Sequence, residues 1–254
     1  MAEEYLSKDS SKPWTDAKLY GPYSGTQGLL YENAEVSATK TLLRMGNLPF
    51  HYEERPNVEF MSSNEQIPIL RLNNDNQIIC GFNAIHTFME KRGIGLCDNV
   101  ADNQMADLEA YIALVEETLR HVEIWMCWME ESIYHETTAR RYGSVYCWPL
   151  NVMLPYLRRK KIKEYLSSIG WGDKSVKEVI DIAENCFQSL SAKLGNNKYF
   201  FGDSPTHLDA LVFGHLFSIT TTLLPNNQLG YLIGKFKNLK NFCMNIHDNY
   251  HKNK

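Results

Sequence analysis

The sequence predicts an α+β fold in two domains: a small sheet with its helices over residues 17–95, and an all-helical part over residues 98–254, behind a flexible N-terminal arm of residues 1–16. β-type runs and helical periodicity alternate up to about residue 95, whereas from Asp98 onward only helical periodicity remains. A third sign is a nearly all-apolar stretch behind a helix-start signal at Thr206, which reads as a core helix buried by other helices.

The elements follow in order. Ala17–Tyr20 is a short apolar strand, and Gly21, Pro22, Ser24 and Gly25 turn the chain after it. Asn33 is a good N-cap for a helix in which Ala34, Ala38, Leu42 and Met45 recur at helical spacing, and Gly46 stops it. A strand over Leu48–Glu54 comes next, then a run from Ile67 to Leu72, the polar break Asn73-Asn74-Asp75-Asn76, and a run from Gln77 to Cys80. Two β-rich runs around an Asn/Asp cluster predict a hairpin. Phe82–Lys91 closes the unit as a helix. Strand, helix, strand, proline-led hairpin and helix is the thioredoxin-like plan, and Pro68 falls where such domains place a cis-proline. A trans proline opening a strand is the competing reading.

The helical part reads as one long helix from Gln104 to about Glu131, then Pro149–Ser168, Ser175–Leu194, Thr206–Leu224 and Leu239–His251, separated by Gly, Pro and Asn clusters. No internal repeat is present. Thr206 and Asp209 form a capping box, which predicts that the threonine oxygen takes the third helical amide and the aspartate reaches back to the Thr206 amide.

Composition narrows the function. With 44% hydrophobic and 22% charged residues, 254 residues are ordinary for a folded globular chain. A net charge of -4 argues against a nucleic-acid partner, which needs a strong basic surface. The first residues lack the basic and apolar blocks of a secretory signal and the Arg-rich pattern of a matrix-targeting peptide, so a start in the cytosol is expected. Leu208–Leu224 carries Asp209, His215 and three threonines and falls short of a membrane span. The six cysteines form no CxxC pair and read as buried reduced thiols.

The stretches Phe201-Gly202-Asp203-Ser204-Pro205-Thr206-His207-Leu208-Asp209, Arg141-Tyr142-Gly143-Ser144-Val145-Tyr146-Cys147-Trp148-Pro149-Leu150-Asn151, Ser168-Ile169-Gly170-Trp171-Gly172 and Leu208–Leu216 carry a resemblance. The first resembles the glutathione transferase superfamily, a glutathione-transferase-like fold with an N-terminal thioredoxin-like domain. The others look like the metaxin family, of the metaxin-2 type, from about Trp14 to the end. That resemblance implies a non-enzymatic adaptor, peripheral on the cytosolic face of the mitochondrial outer membrane. The implied partners are a metaxin-1-type protein in a heterodimer and the β-barrel of the sorting and assembly machinery. Its tasks would be protein import and β-barrel assembly. It also implies coupling of mitochondria to transport through Miro GTPases and motor adaptors.

The residues that glutathione chemistry needs are absent where that fold would place them. At the helix start the chain reads Asn33-Ala34-Glu35-Val36, with no thiol, and Glu32 and Glu35 repel an anion. Before the last helix of the first domain, Gly81-Phe82 stands where a Glu/Gln-Ser/Thr pair would grip the γ-glutamyl end, and hydrogen bonds to charged groups contribute ~1.5–3 kcal/mol each. Tyr20, Tyr23, Ser24 and Tyr31 remain as hydroxyl donors and support the alternative, a cytosolic glutathione-dependent transferase with an atypical site. A freestanding soluble binding module is the third class. No catalytic residue, cofactor or metal site is assigned, and Pro68, Thr206 and Asp209 are read as structural.

Two other groups were candidates. His247 and His251 lie four apart without an evident third metal ligand, so a solvated C-terminal turn is the simpler reading. Arg158, Arg159, Lys160 and Lys161 suit contact with an acidic partner or anionic headgroups, against the plainer reading of a solvated helix face whose Leu154, Leu157 and Leu166 point inward. Trp125, Met126, Trp128 and Met129 read as core, part of which could form a partner groove.

Overall fold

A computed structural model describes residues 14–62, 65–72, 78–97 and 100–252. Most of the predicted N-terminal arm and the Asn73–Gln77 turn lie outside the described residues. Trp14 packs near Phe88 and donates from Nε1 to the Pro49 carbonyl at 2.9 Å.

Strands β1 (Lys18–Gly21), β2 (His51–Glu54), β3 (Ile69–Arg71) and β4 (Ile78–Cys80) form one sheet in the order β2-β1-β3-β4. β1 runs parallel to β2, and the β1/β3 and β3/β4 pairs are antiparallel. Leu19 faces Leu70, and Leu70 faces Ile79, so one side of the sheet is a continuous apolar strip. The parallel crossover from β1 to β2 passes through helix α1 (Leu30–Met45), and α2 (Phe82–Lys91) follows β4. Ile67–Pro68 is cis, and so is Trp148–Pro149.

α1 starts three residues before the predicted Asn33 cap. The Glu32 carboxylate accepts the Leu29 N–H at 2.9 Å, so a side chain inside the first turn replaces an N-cap residue. At the other end Gly46 keeps a negative φ of -74°, and Asn47 takes the left-handed conformation at φ 51°. Gly46 is small for a different reason: a Cβ there would lie 2.9 Å from Met89.

The helical half opens with α3 (Asp102–Leu114), which runs through a π-helical turn, Val115–Leu119, into α4 (Arg120–Trp128). A further stretch that sequence periodicity did not reveal comprises α5 (Glu131–Ile133), a second π turn (Tyr134–Thr138) and α6 (Ala139–Gly143). Then come α7 (Leu150–Ser168), α8 (Val176–Leu194), α9 (His207–Thr221), the short α10 (Gln228–Ile233) and α11 (Lys237–Tyr250).

α9 is buried almost all round and lies directly on α1. The crossing is possible because residue 214 is glycine: a Cβ there would sit 2.4 Å from the Ala34 carbonyl oxygen and 2.5 Å from the Ala38 nitrogen. A single apolar core joins both halves, with Leu42, Leu70 and Ile85 on one side and Trp128, Phe187 and Phe213 on the other. Inside it His215 Nδ1 meets Glu123 Oε1 at 2.9 Å, both side chains wholly buried. The carboxylate holds the imidazole above its ordinary value against the pull of burial.

Among the cysteines, Cys127, Cys186 and Cys243 are buried as expected, Cys80 and Cys97 are half-buried, and Cys147 is exposed. Burial pushes the Cys127 and Cys186 thiols up to about 12, which leaves them protonated and inert.

Candidate functional site

Between the two halves lies a cleft of about 410 Å³, walled by the start of α1, the segment before Pro68, and the facing sides of α4 and α7. In a thioredoxin-like domain a helix N-terminus at such a place attracts an anion, because its first amides are unpaired and its dipole is positive there. Here that position is taken. Glu32 caps the Leu29 amide with its own carboxylate, and burial, helped by Glu59, raises that carboxyl to about 7. Glu35 faces Arg120 at 3.1 Å, and Glu65 accepts from Arg158 and, at 3.2 Å, from Lys161.

The candidate hydroxyl donors do not converge on this cleft. Tyr20 is buried with Val58 and Ile69 on the other side of the sheet, with Arg55 over its ring at 5.7 Å. Ser24 donates to Glu54 at 2.8 Å, and Tyr23 is exposed. Tyr31 alone lines the cleft, where its hydroxyl accepts from Trp128 Nε1 at 3.3 Å. The residues at the helix start are therefore Leu29, Leu30, Tyr31 and Glu32 rather than Asn33–Val36. Gly81 holds a φ of 84° as the residue before α2, and Phe82 is 2% exposed, part of the core.

Asp209 closes the helix start from its own side. Its Oδ2 accepts the Thr206 N–H and the Thr206 hydroxyl, both at 2.8 Å, and Oδ1 accepts the Phe200 N–H at 2.9 Å. The capping box predicted from sequence is present, with the Thr206 oxygen facing the third helical amide and Asp209 reaching back to the Thr206 amide, and the Thr206 hydroxyl in addition donates to Asp209. The carboxyl is wholly buried, and burial raises it from 3.8 to about 6 although the hydrogen bonds it accepts oppose the shift. Pro68 opens the hairpin opposite α1, and its carbonyl accepts the Gly81 N–H at 2.8 Å.

The basic run on α7 is split. Arg158 turns inward to Glu65, and Arg159 donates to the Trp128 carbonyl at 2.9 Å and to Glu131 at 2.7 Å while covering the Tyr134 ring. Lys160 and Lys161 are exposed. Leu166 is buried and Leu154 half-buried, but Leu157 points out, with 52% exposure, contrary to the predicted inward face. The outward side of this region instead carries Trp148, Val152, Tyr156 and Leu157, with Trp148 82% exposed. Next to it lies an open groove of about 850 Å³ between α6 and α7, rimmed by Arg140, Lys160 and Lys163.

The C-terminal histidines also differ from expectation. His251 docks on α1: its Nε2 is 2.8 Å from the Thr41 hydroxyl and its Nδ1 is 2.6 Å from the Arg44 guanidinium. Because Arg44 can only donate, Nδ1 is the acceptor and the ring is neutral. Burial and Arg44 push it down to about 3. Among the described residues no group of three His, Cys, Asp or Glu side chains is placed to hold a metal ion.

Comparison with known proteins adds the following. Residues 37–159 match the family model described as an outer mitochondrial membrane transport complex protein, Tom37. Residues 183–246 match the glutathione S-transferase C-terminal domain. The chain is 41% identical to the metaxin-2 homolog of Caenorhabditis elegans, an alignment covering 87% of this chain and 95% of that protein. It is 38% identical to Homo sapiens metaxin-2 over 98% of this chain and 95% of that one. It is 30% identical to Mus musculus metaxin-1, over 88% and 72% respectively. A glutathione S-transferase of Ceriporiopsis subvermispora solved with glutathione superposes with a TM-score of 0.55 at 14% identity, covering 93% of this chain and all of that one. That likeness is one of fold.

Proposed function

The chain belongs to the metaxin family, and from that premise we propose that it is a non-enzymatic adaptor of mitochondrial protein import at the outer membrane. It acts there with a metaxin-1-type chain and the β-barrel assembly machinery from the cytosolic face. The observation that carries this reading is Glu32. The α1 terminus, where a glutathione thiolate would be stabilised, is capped by a carboxylate of its own first turn, while Gly81-Phe82 at the start of α2 offers no side-chain group for the γ-glutamyl end. An anion-handling site has become a joint between the two halves.

The outward apolar row Trp148, Val152, Tyr156 beside the α6–α7 groove supports a surface role. Side chains of this size and exposure, grouped on one helix side, mark contact surfaces on soluble chains. We assign it to the metaxin-1-type chain, and the flanking Lys160, Lys163 and Arg140 to acidic groups on that chain. Peripheral attachment accords with the absence, among the described residues, of a helix long and apolar enough to cross a membrane. The coupling to Miro GTPases and motor adaptors is proposed as a second use of the assembled pair.

The experiment is co-expression with a metaxin-1-type chain, followed by co-purification and by membrane fractionation of cells with and without that partner. A 1:1 complex that is weakened by Tyr156→Glu, and recovery with mitochondrial membranes only when the partner is present, are expected. A chain that stays in the cytosol with the partner present overturns the reading, and one that conjugates glutathione to an electrophile with loss of that activity in Tyr31→Phe overturns it in favour of a transferase.

A further inference from the structure

The cleft keeps one carboxylate that the chain itself does not answer. Glu59 sits on the 3-10 turn Val58–Met61, is 8% exposed, and lines the cleft. Its Oε1 is buried and has no hydrogen-bond partner among the described residues. The other acidic groups of the cleft all have one: Glu32 holds the Leu29 amide, Glu35 faces Arg120, and Glu65 faces Arg158 and Lys161. A buried acceptor left unmatched gives up its hydration with nothing in return, and the loss is greater for a charged one. Native proteins retain few such groups, and those they retain ask for a partner.

What stands around Glu59 defines the partner. Glu59 acts on Glu32, whose carboxyl rises to about 7 from burial first and from Glu59's charge among the further causes. It acts also on the Tyr142 and Tyr146 phenols, which burial raises first and its charge raises further. The Tyr146 hydroxyl is itself buried without a partner. Three cations line the cleft against four carboxylates: Arg120 faces Glu35, Arg158 and Lys161 both face Glu65, and Glu32 holds the Leu29 amide, which leaves Glu59 without an ion pair or hydrogen bond at Oε1.

We propose that the cleft binds a single cationic group, a guanidinium or primary ammonium, with Glu59 as its counter-ion and Tyr31 as part of its wall. A guanidinium suits the site because its planar fork pairs with a carboxylate through two parallel hydrogen bonds. The cation brings donors to Glu59 Oε1, which stays unmatched although Arg158 Nε of the same cleft is unmatched as well, and its charge favours ionisation of Glu32 beside it. A volume of about 410 Å³ accommodates a side chain or a small amine. The polarity is the reverse of what a glutathione site needs, and the inference stands whether or not the import role does.

The test is a titration of the full chain by calorimetry and by amide NMR shifts of residues 58–62. The probes are agmatine, acetyl-Gly-Arg-Gly-amide, and the same peptide with neutral citrulline in place of arginine. Agmatine or the arginine peptide is expected to bind and to shift those amides, with the citrulline peptide at least ten-fold weaker and Glu59→Gln weakening the cationic probes at least ten-fold. A tighter arginine peptide identifies a protein side chain as the source of the cation, and equal affinity identifies a free small amine. No binding of either cationic probe, equal binding of the citrulline peptide, or unchanged affinity in a cooperatively folded Glu59→Gln variant overturns the proposal. The citrulline comparison uses the unaltered chain, so it decides the matter even if the variant does not fold.

Discussion

Replacing Asp209 by alanine removes three hydrogen bonds from a wholly buried carboxylate: Phe200 N–H at 2.9 Å, Thr206 N–H at 2.8 Å and Thr206 hydroxyl at 2.8 Å. The hydroxyl can turn to another acceptor, but the two amides cannot. A buried amide left unmatched costs ~1–3 kcal/mol, so the variant is expected to lose ~2–6 kcal/mol at pH 7. The pH dependence sharpens this. The folded-state carboxyl titrates near 6 against 3.8 unfolded, so its stabilising proton is fully bound below about 3.8 and the benefit is lost as pH rises through about 6. Two units correspond to ~3 kcal/mol at ~1.4 kcal/mol per unit. The alanine variant lacks this gain, so its deficit relative to the parent grows by up to ~3 kcal/mol between pH 7 and pH 4. Urea unfolding followed by circular dichroism at pH 7, 5.5 and 4 measures both quantities. A deficit below ~1 kcal/mol at pH 7, or one that shrinks as pH falls, refutes the assignment of Asp209 as the acceptor that fixes the start of α9.

Gly214→Ala places a methyl within 2.6 Å of three atoms of α1, two of them backbone, so the helices must separate; a loss of ~2–3 kcal/mol in thermal or urea unfolding is expected, at the upper end for an overpacked core. Glu123→Gln leaves His215 buried without its counter-charge, and chemical denaturation should register ~3–5 kcal/mol, the scale for breaking a buried pair from one side. His251 titrates near 3 when folded and near 6.5 when unfolded, so its contribution is present above 6.5 and lost as pH falls. His251→Ala is therefore expected to flatten the acid limb of the stability curve between pH 6.5 and 3 by close to one proton, and an unchanged limb would count against the Thr41–Arg44 dock.

What could be read from sequence follows the range of the forces involved. The order of strands and helices was legible because it rests on local periodicity and turn residues; Phe82–Lys91 was predicted to the residue, and the sheet runs as the plan requires. The start of α1 was misplaced because its cap is Glu32 acting backward on Leu29, which no cap preference signals. The inward face of α7 was misread because Arg158 answers Glu65, 93 positions away, and only the folded chain brings them together. The Glu131–Gly143 stretch stayed hidden because its π turn is rich in polar and β-branched residues that mask a helical stripe. For the cleft, sequence reading put Gly81-Phe82 where the fold would hold a Glu/Gln-Ser/Thr pair, and the structure packs Phe82 into the core. That Glu59 lies buried without a partner is a property of packing alone.

With Glu32 capping the start of α1, the cleft is proposed to act as a joint between the two halves and not as a glutathione site. Calorimetric titration of the full chain with reduced glutathione at pH 7 tests it most directly. No saturable heat up to ~10 mM is predicted, a level at which any site worth ~3 kcal/mol or more would show. Saturable binding with a Kd below ~1 mM would contradict it.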